Sequence, residues 1–230
     1  MSGVKSAEES RLELIAAMGQ ELGELFDALS SELTWIHWQW HQFRVLFGTK
    51  ESTIELLNEA APVFFRAVQD VFFEETVLAI ARIVDPPATA GKANLSVTRL
   101  PALIADPATA SACANLVAAA RKAAEFAIDW RHRHIAHRDL SLALGDPVAP
   151  LQPASRQSVE QALDALRKVL NHVHGAMMDT TTLYDHSSRV GDAEQLLGVL
   201  RDGLLRQTDR RSAWEKGLLH ADDASPPDVP

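Results

Sequence analysis

Apolar side chains recur at intervals of three and four residues along most of the chain, and this spacing limits the fold more than any other feature. From about Ser6 to Phe47, and again from Ala60 to Val84, it places the apolar residues on one face of a helix. No segment shows the strict apolar–polar alternation that is typical of a half-buried strand. The sequence therefore predicts an all-α fold, an antiparallel helical bundle.

Turn and capping signals divide the helical pattern into elements. The segment Gly48–Glu51 breaks the first long run, and Ser52 with Glu55 has the spacing of a capping box. Asp85-Pro86-Pro87 ends the helix that runs to Val84, because proline cannot continue it. Two later helices are expected to end near Leu183 and Gln207, and the further N-caps are predicted at Ser96, Asp106, Ser155 or Ser158, and Asp192.

The length of 230 residues and the 47% hydrophobic content allow one full core. We expect a flexible N-terminus over residues 1–10 and a single helical domain over residues 11–207. A C-terminal extension follows over residues 208–230. It is expected to be disordered from about residue 221, since that end is rich in Pro and Asp.

The formal net charge of −9 argues against broad adsorption to nucleic acid or to anionic membranes, because the long-range field repels phosphate. Any contact with nucleic acid must therefore be local. No stretch reaches the roughly 18 apolar residues of a membrane span, and the N-terminus lacks an apolar leader. Cys113 has no partner for a disulfide, so we expect a reducing, cytoplasmic location and a buried, unreactive thiol.

The segment Trp130–Asp139 stands out in this acidic chain, since it carries three of the nine histidines and three arginines within eight consecutive residues. Guanidinium groups bind phosphate oxygens through paired hydrogen bonds. Histidine can accept and return a proton near pH 7. An RNA 2′-OH that is deprotonated by such a base could attack the adjacent phosphate while arginine stabilises the developing charge. This chemistry needs no metal and no cofactor.

Two other histidine pairs are candidates for metal ligands. His37 and His41 share a helical face at i and i+4, but no cysteine or third ligand lies near them in the sequence. His172 and His174 lie two residues apart and therefore on different faces of a helix. We expect both pairs to serve packing or contacts, and we predict no metal site.

Residues Arg131-His132-Arg133-His134-Ile135-Ala136-His137 resemble the RX4-6H motif of HEPN domains (higher eukaryotes and prokaryotes nucleotide-binding), with His132 at the polar position after the arginine. The flanking segments resemble the AbiU-type abortive-infection branch of that superfamily, and the similarity covers roughly residues 30–185. These segments are Leu46-Phe47-Gly48, Ile83-Val84-Asp85, Asn94-Leu95-Ser96 and Ile135-Ala136-His137-Arg138-Asp139.

The resemblance implies a HEPN-like bundle with additional helices and a homodimeric, metal-independent endoribonuclease, the toxin of a toxin–antitoxin pair or a phage-defence effector. The two motifs would meet in a cleft between protomers. Arg131 would bind and orient the phosphate, His137 would act as general acid or base, and His132 would support the orientation. Arg133, His134 and Arg138 would support the site or bind RNA. A toxin would also need a neutralising partner, such as a small nucleotidyltransferase.

The spacing of the motif raises a geometric problem. Residues six apart in a regular helix are separated by about 120° around the axis, so Arg131 and His137 would not share a face. Arg133 and His137, at i and i+4, would share one. Three solutions are open: the helix is interrupted or begins near Arg131, the residues converge with those of a second protomer, or Arg133 assists.

A different interpretation treats the cluster as a solvated helix face on a binding or regulatory module that recognises nucleotide, RNA or protein without turnover. Arg138 and Asp139 would then form ordinary surface pairs. Glu74, Glu75 and Asp85 are candidate counter-charges, and pairing with them would weaken the case for catalysis.

Overall fold

The computed structural model describes residues 5–48, 50–135, 140, 144, 150–185 and 191–218. This part is almost entirely helical, which confirms the predicted all-α fold. Its helices are α1 (Ala7–Met18), α2 (Gln20–Phe47), α3 (Glu51–Ala60), α4 (Pro62–Ile83), α5 (Leu100–Leu103), α6 (Pro107–Ala123), α7 (Glu125–Trp130), α8 (Arg156–Met178) and α9 (Ala193–Glu215), with a 3-10 turn at Val97–Arg99 and a π-helical turn at Arg131–Ile135.

The described residues form two compact units, and the first contains those of Met1–His41 and Val71–Ser187. In this unit α6 packs against α8, α5 packs against α6, and α1 contacts α8. Burying a leucine or isoleucine stabilises a fold by roughly 1.5–3 kcal/mol relative to leaving it exposed. The fully buried apolar side chains of its core include Leu29, Leu33, Ile36, Ile80, Ala120, Leu166 and Leu170.

The second unit contains the described residues of Gln42–Asp70 and Ser188–Pro230. Here α3 packs against α9. The backbone amide of Ala193 donates to Oε1 of Gln42 at 2.7 Å, which satisfies an orphan amide at the start of α9. The buried apolar side chains include Phe43, Leu46, Leu57 and Phe65. A single domain over residues 11–207 stays a prediction, and the expected tail from residue 221 lies outside the described residues.

The first helical run is divided at Gly19, whereas the apolar spacing predicted a continuous helix from Ser6 to Phe47. Gly19 has a φ of 82°, a left-handed conformation that ends α1 and that glycine adopts without a steric penalty. Gly23 then permits close packing: a Cβ atom there would lie 2.6 Å from Cα of Ile15. The two glycines therefore fold α1 back against the start of α2.

Most predicted N-caps are confirmed by side-chain hydrogen bonds. Asp106 accepts from the amide of Thr109, and Asp192 accepts from the amides of Glu194 and Gln195. At α8 the cap is Ser155 rather than Ser158. The prediction of a capping box at Ser52 was wrong, because α3 begins at Glu51 and extended Lys50 takes the capping position without a side-chain bond.

Two helix ends differ from the predicted positions. Helix α8 stops at Met178 rather than near Leu183, because Asp179 adopts a left-handed φ of 51°. Asn171 then holds the returning chain, accepting from the amide of Thr182 and donating to its carbonyl. Helix α9 runs to Glu215, two turns beyond the predicted end near Gln207.

A short antiparallel hairpin, β1 (Ala88–Thr89) and β2 (Lys92–Ala93), follows α4 and was not predicted. Its turn uses left-handed Ala90 and Gly91. Two residues per strand are too few to show alternation in the sequence. The hairpin brings the residues after Ala93 back beside the end of α4.

Cys113 is fully buried on α6, as predicted, and burial raises the pKa of its thiol to about 11. A thiol of that pKa carries almost no thiolate at neutral pH, which argues against a nucleophilic role. Among the helices that the structure describes, none is both long and apolar enough to cross a membrane.

Candidate active site

The cationic segment, Trp130–Asp139, begins where the regular α-helix ends and a π turn follows. The Ala-rich helix α6 is separated from α7 at Ala124, which has φ −94° and ψ 4°, and α7 then leads directly into the π turn. Turns of this kind are rare and occur frequently at functional sites. Arg131 is the first residue of the π turn. The regular α-helix is therefore interrupted at Arg131, whereas His137, the other residue of the spacing problem, lies outside the described residues.

Arg131 forms an ion pair with Asp85, which lies just beyond the end of α4. Its Nη1 donates to both carboxylate oxygens of Asp85, at 2.6 and 2.7 Å. The two side chains are only 18% and 20% exposed, so water screens the pair less than it screens the surface pairs of this chain. Asp85 thus fixes one end of the guanidinium, and Arg131 is held rather than left to move in solvent.

Asp85 is itself held through its backbone. Its carbonyl accepts from the hydroxyl of buried Ser96 at 2.6 Å and from the hydroxyl of Thr98 at 2.7 Å. Asn94 closes the same loop, donating to the carbonyl of Pro86 and the hydroxyl of Thr89. The segments around Asp85 and Ser96 therefore form one hydrogen-bonded structure that holds the residue to which Arg131 is paired.

The second nitrogen of Arg131 contacts the neighbouring histidine. Nη2 of Arg131 lies 2.9 Å from Nε2 of His132. A guanidinium has no acceptor, so Nε2 of His132 must accept and the proton of the neutral ring lies on Nδ1. His132 is thereby oriented by Arg131. Within the described part of the chain, Nε of Arg131 makes no hydrogen bond.

Arg133 points to a different partner from Arg131. Its Nη1 lies 3.5 Å from Oδ1 of Asp129, one turn earlier, and 3.4 Å from the carbonyl of Pro150. The other carboxylate oxygen of Asp129 accepts from the amide of Gln152, whose carbonyl accepts from the indole of Trp130. Arg133 therefore helps to tie the chain after residue 150 to the motif.

His134 lies against α4. Its Nε2 is 3.4 Å from a carboxylate oxygen of Glu74, and its ring packs edge-on against Trp130. Trp130 in turn packs edge-on against Phe73. Glu75, another candidate counter-charge, pairs instead with Arg82 at 2.8 Å. Three carboxylates, those of Asp85, Asp129 and Glu74, thus lie beside Arg131, Arg133 and His134, and the first two offset positive charge of the arginines.

His137 and Arg138 lie outside the described residues, so the proposed catalytic pair is represented here by Arg131 alone. The sequence analysis named Asp85 as a helix end, a family feature and a candidate counter-charge, and Ser96 as an N-cap and a family feature, but it gave Ser96 no role in the site and missed Asp129 and Thr98. Asp129 could have been found from its i, i+4 spacing to Arg133. The contacts of Asp85 could not, since it lies 46 residues from Arg131.

His37, His172 and His174 make contacts away from the cationic segment. Burial lowers the pKa of His37 to about 4, and its ring lies 6.0 Å from that of Tyr184. His172 approaches the carbonyl of Thr109, whereas His174 lies near the hydroxyl of Thr182, so these two do not converge. Nowhere in the described ranges do three His, Cys, Asp or Glu side chains group as a metal site would require.

The comparisons with known proteins agree with the architecture. A family model described as AbiU2, of the HEPN type, matches residues 19–196. This range includes Asp85, Ser96 and Thr98, which hold Arg131 in place, and the whole cationic segment. Neither the curated proteins nor the solved structures that were compared with the chain gave a match.

Proposed function

Because the chain belongs to the AbiU2 family of HEPN proteins, we propose that it is a metal-independent endoribonuclease whose site is built on Arg131 and His137. The observation that carries the proposal is the anchored guanidinium of Arg131, which opens the π turn with Nη1 on Asp85 and Nη2 on His132. An arginine held in this way is preorganised for an anion. His132, Arg133, His134 and Arg138 support the site or bind RNA.

In the proposed reaction His137 removes the proton from an RNA 2′-OH. The 2′ oxygen forms a bond to the adjacent phosphorus as the bond from phosphorus to the 5′ oxygen breaks. The leaving 5′ oxygen takes up a proton from a second, protonated His137 contributed by the other protomer, which gives a 2′,3′-cyclic phosphate and a free 5′-OH. Arg131 stabilises the negative charge that develops on the nonbridging phosphate oxygens.

The proposal extends to the assembly and the biological role. Two protomers would bring their motifs together in one cleft, and the nuclease would act as a toxin or phage-defence effector. The acidic chain would bind RNA locally at this cleft rather than over its whole surface. A neutralising partner, such as a small nucleotidyltransferase, would keep the activity in check.

The direct test incubates purified protein with end-labelled RNA in excess EDTA. We expect cleavage that yields 2′,3′-cyclic phosphate ends, and a loss of about 10²–10⁴-fold in rate for His137→Ala, the usual range for a general acid or base. Arg131→Ala should also lose cleavage. The matched control is Arg66→Ala, which removes an exposed arginine paired with Asp70. RNA left intact by wild type, or cut equally by His137→Ala, would refute the proposal.

A binding module without turnover is the second candidate, and the carboxylates beside the cationic segment favour it. Asp85, Asp129 and Glu74 lie beside Arg131, Arg133 and His134, and an arginine that is already paired is less available to stabilise the negative charge of a transition state. For such a module, labelled RNA would be retained on a filter but stay uncut in the same assay. Binding that survives in both Arg131→Ala and His137→Ala would place the RNA-binding surface elsewhere.

A further inference from the structure

We infer that Asp85 is a positioning residue of the proposed nuclease, one that holds Arg131 in the orientation from which its free edge binds the scissile phosphate. The inference rests on the proposed function and adds to it a residue outside the motif. Asp85 itself need not touch RNA. It acts through Arg131.

The contact geometry supports positioning rather than simple charge balance. An exposed arginine samples many rotamers, and holding it in one of them costs conformational entropy at the moment of binding. Here Nη1 of Arg131 bonds both oxygens of Asp85, and Nη2 bonds Nε2 of His132. These three contacts fix the plane of the guanidinium before RNA arrives. The remaining N–H groups, on Nε and Nη2, can still donate to a phosphate.

Asp85 can serve as a fixed point because its own backbone is tied down. The hydroxyls of Ser96 and Thr98 both donate to its carbonyl, and these hydroxyls lie 2.9 Å from each other. Ser96 is fully buried. The carboxylate therefore remains beside Arg131 when RNA binds.

The fixed carboxylate also restricts how phosphate can approach. A phosphate that displaced Asp85 from Nη1 would lie next to an immobile negative charge in a poorly hydrated site, which is unfavourable. A phosphate that approaches the Nε and Nη2 edge keeps the ion pair and has the guanidinium between the two anions. This arrangement requires the planar fork of arginine, so Arg131→Lys should fail as Arg131→Ala does.

The first test is Asp85→Asn, which keeps the shape of the side chain and removes its charge. We expect kcat for RNA cleavage to fall about 10- to 100-fold, the scale of loss for a misplaced catalytic group. The matched control, Glu75→Gln, breaks the exposed pair with Arg82 and should cleave at the wild-type rate. Unchanged cleavage by Asp85→Asn would overturn the inference. Faster cleavage would also overturn it, because Asp85 would then compete with RNA for Arg131.

A double-mutant cycle separates positioning from general damage to the fold. If Asp85 acts through Arg131, adding Asp85→Asn to Arg131→Ala should not lower the residual rate further. Additive losses would refute the inference. Should Asp85→Asn fail to fold, Thr98→Val removes one of the two hydroxyls on the Asp85 carbonyl and should give a loss of several fold. An unaltered rate in that variant would count against the inference.

A measurement without turnover distinguishes failure of this inference from failure of the proposed function. In ¹⁵N-labelled protein, the Nε–H resonance of Arg131, assigned with Arg131→Lys, reports how rigidly the guanidinium is held. We expect it to be sharp in wild type and broadened or shifted to the free-arginine position in Asp85→Asn. An identical resonance in both proteins would overturn positioning even if RNA is cleaved. Intact RNA with the expected resonance change would refute the nuclease alone.

Discussion

At the scale of single residues, burial changes the chemistry of side chains that the sequence presents as equivalent. His37 and His132 are both histidines on helical segments next to aromatic or cationic neighbours. His37 packs beside Tyr184 and has its pKa lowered to about 4, chiefly by burial, with nearby Asp185 acting in the opposite direction. His132 is largely exposed and accepts a hydrogen bond from Arg131. The first histidine therefore affects stability, and the second belongs to the candidate site.

The lowered pKa of His37 predicts that the protein loses stability in mild acid. Between pH 6.5 and pH 4 the unfolded chain binds a proton at this position and the folded chain does not, so the free energy of unfolding falls as pH falls. The loss is on the order of 3 kcal/mol across that window. Urea unfolding at pH 7 and pH 4.5 should show a smaller drop for His37→Phe than for wild type. Equal drops would contradict the assignment.

Ser96 offers a stability test of the support beneath Arg131. Ser96→Ala removes a buried donor to the Asp85 carbonyl but leaves the bond from Thr98, so we expect a loss of about 0.5–1.5 kcal/mol in the free energy of unfolding. Ser111→Ala is the control, since Ser111 is exposed within α6. Thermal unfolding of both variants checks the prediction, which fails if the two midpoints coincide.

At the scale of elements, two positions in one helical pattern require glycine for different reasons, one for its backbone conformation and one for its lack of a side chain. Gly19 needs a left-handed φ, whereas Gly23 is helical and needs space, because the backbone of α1 at Leu14 and Ile15 passes directly over it. Periodicity places both within a helix. It cannot show that the chain reverses between them, since reversal depends on contacts between the two helices.

Gly23→Ala should therefore destabilise the fold, although alanine is the better helix former. Its Cβ would lie 2.6 Å from Cα of Ile15, so α1 must move away, at a cost of about 1–3 kcal/mol. The control is Gly203→Ala on α9, where a Cβ meets nothing within 4 Å and should stabilise by about 0.5–1 kcal/mol. Urea titration measures both, and a gain in stability for Gly23→Ala would refute the close approach.

At the scale of the whole molecule, the proposed nuclease depends on a second copy of the chain. Val63 and Phe64 on α4 are 83% and 62% exposed, an apolar surface that a partner could cover. The charge of −9 makes close association of two copies depend on such apolar contacts rather than on attraction.

We expect light scattering at micromolar concentration to give about twice the chain mass of 25.2 kDa. Phe64→Glu should shift the mass toward the monomer and lower RNA cleavage in parallel, since the cleft between protomers would be lost. Ala88→Glu, on the exposed hairpin, adds the same single negative charge and is the control. A monomeric wild type that still cleaves RNA would refute the composite site.

The features that could be predicted from the sequence are those that depend on residues close together in the chain. The helical fold follows from the spacing of apolar residues, and the caps at Asp106 and Asp192 follow because their partner amides lie two or three residues away. The resemblance to HEPN proteins also rested on contiguous residues, and the family match confirms it. The prediction of a capping box at Ser52 was wrong because the helix begins before Ser52, with extended Lys50 at the N-cap position.

Only the tertiary structure shows which contacts hold the described residues of the cationic segment in place. The π turn replaces the regular helix at Arg131, Asp85 lies beside Arg131, and the chain after the hairpin brings Ser96 and Thr98 onto the Asp85 carbonyl. Sequence alone identified which side chains are chemically suited to bind phosphate or transfer a proton, since that depends on their functional groups. Which of these groups are held, and by what, depends on contacts between residues far apart in the chain, and no local pattern records those contacts.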